Sequence, residues 1–64
     1  MQNTELFKQL LTFRVGLIGI EGKNPSWFKR HFGMDSQDIV YETETTLLEQ
    51  NQTDWDEYES WIFN

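Results

Sequence analysis

The side chains able to do chemistry are few, and most are carboxylates. Two acidic clusters, Asp35-Ser36-Gln37-Asp38 and Asp54-Trp55-Asp56-Glu57, are dense enough to consider as cation ligands. A calcium loop alternates oxygen ligands around a central glycine and ends on a glutamate, and neither cluster has the glycine. Both suit the first turn of a helix, where carboxylates accept free N–H groups and oppose the helix dipole. His31 is the only histidine and cysteine is absent, which excludes a two-His zinc site, a thiolate site and a disulfide framework. A Ser-His-acid system would have to join His31 to Ser26, Ser36 or Ser60, with no nucleophile elbow to shape an oxyanion hole. Paired carboxylates need a water-excluding cleft for acid–base work, and 64 residues can hardly enclose one. The expectation is a protein without catalytic residues, metal or cofactor.

Charge is sorted along the chain. Residues 1–33 hold all five bases (Lys8, Arg14, Lys23, Lys29, Arg30) and two acids, Glu5 and Glu21. Residues 34–64 hold nine acids and no base, within a net charge of −6. Such asymmetry points to a charged partner, although the halves can also neutralise each other internally. The segment Trp27-Phe28-Lys29-Arg30-His31-Phe32-Gly33-Met34 is the reverse, a basic stretch with interleaved aromatics. Over these residues it resembles the end of the second helix-turn-helix of AraC-type regulators. That family's usual Ser-Pro after the methionine is Asp35-Ser36 here, and no second helix-turn-helix fits the chain, so no function carries over. A basic aromatic helix over 25–33 remains an alternative route to nucleic-acid binding or regulation. A net charge of −6 opposes it, because non-specific affinity for phosphates is mostly electrostatic.

These groups must be positioned by a small fold. Thr4 to Leu11 reads as a helix with Leu6, Phe7, Leu10 and Leu11 on one face and Thr4 as its cap. Residues 12–20 fit two patterns. As a strand, Phe13, Val15 and Leu17 alternate with Arg14, Gly16 and Ile18. As a continuing helix, Leu6, Leu10, Phe13, Leu17 and Ile20 form one face, with Glu5, Lys8, Thr12, Gly16 and Gly19 opposite. Two interior glycines cost a helix about 1 kcal/mol each, which favours the strand. Asn24-Pro25 starts a second helix that Gly33 closes. Residues 38–48 alternate like a half-buried strand, with Ile39, Tyr41, Thr43, Thr45 and Leu47 on one face. Glu49–Gln52 turns the chain, and Thr53 caps a last helix whose apolar stripe is Trp55, Tyr58 and Ile62.

The expected fold is therefore one small α+β domain over residues 1–64, in the order α-β-α-β-α with a two-stranded sheet. The alternative is an all-α bundle of three or four helices. The expected core is Leu6, Phe7, Leu10, Phe13, Val15, Leu17, Phe28, Phe32, Ile39, Tyr41, Leu47, Trp55, Tyr58 and Ile62. On the strand, Glu42 and Glu44 project together to solvent. With Asp54, Asp56, Glu57 and Glu59 they form the expected partner-binding surface, flanked by Trp61 and Phe63 as aromatic contacts. The expected function is a small acidic interaction module that binds and inhibits a partner with a basic surface. Its carboxylates would stand where nucleic-acid phosphates sit, as in small inhibitors encoded by phage and mobile elements. A second copy of the chain is the other candidate partner. No apolar run is long enough to span a membrane, and Met1–Glu5 lacks a signal peptide's basic n-region, so a cytoplasmic setting is expected.

Overall fold

The computed structural model describes residues 3–64; Met1 and Gln2 lie outside them. There is no strand among the described residues, and the α+β expectation is overturned. Four helices follow in order: α1 (Thr4–Lys23), α2 (Pro25–Phe32), α3 (Ser36–Gln50) and α4 (Trp55–Phe63). This is the all-helical alternative in its four-helix form.

Residues 12–20 are the second half of α1. The inner face of that helix runs through Phe7, Leu10, Arg14, Leu17 and Glu21, all buried or half-buried. Their 3-4-3-4 spacing keeps them within an arc of roughly 80°. Two of the five are charged, so a search for apolar spacing alone settles on the neighbouring stripe through Phe13 and Ile20, which faces solvent. Gly16 and Gly19 lie on the far side of α1, where a Cβ would meet no other part of the described chain within 4 Å. Nothing among the described residues requires glycine there, and packing of the inner face offsets its helix penalty.

Residues 38–48 are also helical. α3 buries Ser36, Val40, Glu44 and Leu48, one residue per turn. The strand pattern pointed Ile39, Tyr41 and Leu47 inward and Val40, Glu44 and Leu48 outward. Threonine and valine disfavour a helix by at most about 0.7 kcal/mol each, and burial of this stripe outweighs that.

The joints are short. Asn24 closes α1 by donating its N–H to Ile20 O at 3.1 Å, and Pro25 opens α2 directly after it. Gly33 ends α2 in the left-handed conformation, φ 70°, and donates its N–H to Lys29 O. Between α3 and α4, Gln52 carries a positive φ of 56° without being glycine. Asp54, not Thr53, caps α4, its carboxylate accepting the Glu57 N–H at 2.9 Å; the Thr53 hydroxyl bonds Asn51 O instead.

Phe7, Leu10, Leu48 and Tyr58 form the core, with Leu6, Leu47, Trp55, Trp61 and Ile62 packed around it. The Phe7 ring lies 5.4 Å from Tyr58 and 5.7 Å from Trp61. Phe28 and Val40 are buried outside this cluster. Of the expected core, Phe13, Val15, Phe32 and Tyr41 are exposed. The molecule is elongated, 40 × 21 × 15 Å, and no described helix is long and apolar enough to cross a membrane. Leu48→Ala is expected to lower unfolding stability by about 2–5 kcal/mol in urea titrations. Gln52→Gly is expected to raise it by about 0.5–1 kcal/mol, by relieving the left-handed backbone of a non-glycine residue.

Candidate interaction surfaces

α1 and α3 run antiparallel along a seam with polar rungs. At one end the Glu21 carboxylate accepts both the Ser36 N–H and the Ser36 hydroxyl at 2.8 Å. One of the free N–H groups at the start of α3 is thus satisfied from α1, and the Asp35 side chain makes no cap bond. Further along, Arg14 Nη2 donates to Glu44 Oε1 at 2.7 Å, and the Tyr58 hydroxyl donates to Glu44 Oε2 at 2.6 Å. One fully buried carboxylate thereby joins α1, α3 and α4.

Glu44 is consequently not part of an outward acidic pair with Glu42. A helix turns about 200° over two residues, where a strand returns to the same face. Glu42 faces solvent and Glu44 faces the core. Glu44 is the functional expectation that the fold removes, and Arg14 is the partner that reading the chain for apolar faces had left out.

The cluster shifts the chemistry of Tyr58. Burial pushes its hydroxyl well above the ordinary tyrosine range, and the hydrogen bond and charge of Glu44 push the same way, against a smaller opposing effect of Arg14. The folded state therefore holds this proton to higher pH than the unfolded chain, which releases it near pH 10. Stability is full below that pH and falls as pH rises toward the folded-state value. Thermal melts are expected to show this alkaline loss in the natural chain and a flatter profile in Tyr58→Phe. In near-neutral buffer, Glu44→Ala is expected to cost about 3 kcal/mol, because it leaves Arg14 and the Tyr58 hydroxyl without their partner. The triple variant R14M/E44L/Y58F should recover most of it, since an apolar replacement of a whole buried ionic cluster is often tolerated.

Outside the seam, α3 carries a different acidic stripe from the expected one. Asp38, Glu42 and Glu49 fall within about 40° of one another around the helix and are exposed, on the side opposite the buried stripe. On α4, Asp56, Glu57 and Glu59 are exposed as well, while Asp54 is committed to the cap. Trp61 is half-buried against Phe7, and Phe63 is 83% exposed. Of the expected aromatic contacts, only Phe63 stands free of the core. Neither α3 nor α4 contains a base. The ion pair at their margin is Lys29 to Asp35, 3.5 Å and exposed on both sides.

α2 bears the basic aromatic surface. The Trp27 ring stacks on His31 at 4.8 Å, and Phe32 meets both edge-on. Trp27 and Phe32 are exposed, and Lys29 and Arg30 occupy the same two turns. A groove lined by Arg14, Ile18, Gln37, Val40 and Tyr41 opens above the α1–α3 seam, with a volume near 290 Å³. No three metal-ligating side chains converge among the described residues. No protein-family model, curated protein or solved structure matches this chain.

Proposed function

We propose that the chain is a protein-binding module that lays the acidic outer faces of α3 and α4 against a basic surface of a partner and blocks it. The observation that carries this reading is the exposed stripe Asp38, Glu42 and Glu49 on a helix without a base, continued in sequence by Asp56, Glu57 and Glu59. Carboxylates fixed on helices, with no cation paired to them among the described residues, raise association rates with a basic surface and give them a steep salt dependence. Where the surface is a nucleic-acid groove, the bound chain excludes the phosphates. Phe63 adds an exposed ring at the end of α4.

The test is capture on the immobilised chain from cell extract, with the retained proteins identified by mass spectrometry. The comparison bait is D38K/E42K/E49K, whose positions are solvent-exposed and whose stability should change by little, about 0.5 kcal/mol per site. A partner held by the natural chain, released by salt or by added duplex and lost on the reversed bait is the expected result. Equal retention by both baits would remove the acidic faces from the mechanism. A second reading, direct binding of nucleic acid through α2, rests on the exposed Trp27–His31 stack beside Lys29 and Arg30. It requires the isolated chain to shift a labelled oligonucleotide and Trp27→Ala to abolish the shift.

A further inference from the structure

The outer face of α1 is unused by the fold. Phe13, Val15 and Ile20 are all exposed, Val15 to 64%. Diametrically opposite the buried stripe lie Glu5, Thr12, Gly16, Gly19 and Lys23, every one exposed. α1 buries one face within the fold and leaves Phe13, Val15 and Ile20 in solvent beside its small and charged side, an apolar surface that a second layer would cover. The core is also small, with six buried apolar residues among those described. Chains of this size commonly complete their cores by association.

We infer that α1 pairs with α1 of a second copy, antiparallel, to make a symmetric dimer. The choice of occupant follows from charge. Glu5 and Lys23 are separated by five full turns, so they occupy the same angular position at opposite ends of a helix about 30 Å long. An antiparallel copy brings Glu5 of each chain beside Lys23 of the other, whereas a parallel copy opposes like charges. The two-fold axis then passes at the level of residue 14. Phe13 of both copies meets on one flank, and Val15 of both copies meets on the other. The small side chains at Thr12 and Gly16 are also symmetric about that level, which allows close backbone approach. The surface is self-complementary, as a two-fold interface demands. α1 is also where two chains of net charge −6 repel least, because it carries three of the five bases and only two of the eleven acids. The acidic stripe of α3 lies away from the pairing face in both copies. This inference stands independently of the partner reading, since it uses none of that stripe.

Sedimentation equilibrium of the purified chain tests it. The expected mass is twice the 7.7 kDa of one chain at micromolar concentration. V15K/I20K is expected to sediment as a monomer while keeping its helical circular dichroism. Glu5→Lys and Lys23→Glu alone should each weaken association at least tenfold in low salt. The swapped double variant E5K/K23E should recover it. A natural chain that stays monomeric, or a dimer that survives V15K/I20K, overturns the inference. A swap that fails to rescue overturns the antiparallel register. A dimer lost in D38K/E42K/E49K but kept in V15K/I20K places the contact on α3 and overturns it as well.

Discussion

The fold turns on one buried carboxylate. Glu44 has no exposure to water, and its two oxygens are taken by Arg14 from one helix and Tyr58 from another. A carboxylate in that position is tolerable because each of its oxygens accepts a hydrogen bond and one donor is a cation. Arg14 itself is not fully buried; its side chain keeps 38% of its exposure, so the desolvation penalty falls mainly on Glu44. The geometry leaves little freedom. Rotating α3 about its axis or sliding it along α1 by one turn would strand the carboxylate among apolar side chains. A buried ionic cluster of this kind favours one register of a seam over its neighbours, a discrimination that apolar contacts such as those of Phe7, Leu10, Leu48 and Tyr58 make less sharply.

Much of the punctuation was legible from residue types. The break at Asn24-Pro25, the stop at Gly33 and, with its cap one residue later than expected, the start of the last helix follow from chain stiffness, missing N–H groups and capping chemistry, all local in origin. The two misassigned segments share one cause. In both, the buried stripe includes polar members: Arg14 and Glu21 on α1, Ser36 and Glu44 on α3. A pattern sought among apolar residues alone is drawn to Phe13 and Ile20 on one helix and to Ile39, Tyr41 and Leu47 on the other. The signal that was present is charge spacing. Arg14 and Glu21 lie seven apart and Ser36 and Glu44 eight apart, so each pair shares a helix face and matches its counterpart in an antiparallel seam.

The candidate surface was legible in part. The concentration of acids in the second half of the chain needs only counting. Which of them face outward depends on the period of the backbone, and changing that period exchanges the roles of neighbouring residues. Glu44 moves from the surface to the interior, while Asp38 and Glu49 join Glu42 in its place. Asp54 was identified as a surface group and serves as a cap. Such a group remains solvated, but its carboxylate is already engaged with Glu57 N–H.

The Glu21–Ser36 contact bears on how the chain acquires its structure. α3 begins without a bond from its own Asp35 side chain, and it is rich in threonine and glutamate with no lysine to pair along its surface. In isolation such a segment nucleates poorly. Its first turn is completed by a residue fifteen positions upstream and its middle by one thirty positions upstream. Helicity in α3 is therefore a product of docking, and it should vanish together with the seam. The consequence is cooperativity: amide protons along α3 would exchange with solvent only through the same global opening that releases α1, and no partly folded form retaining α3 alone would accumulate.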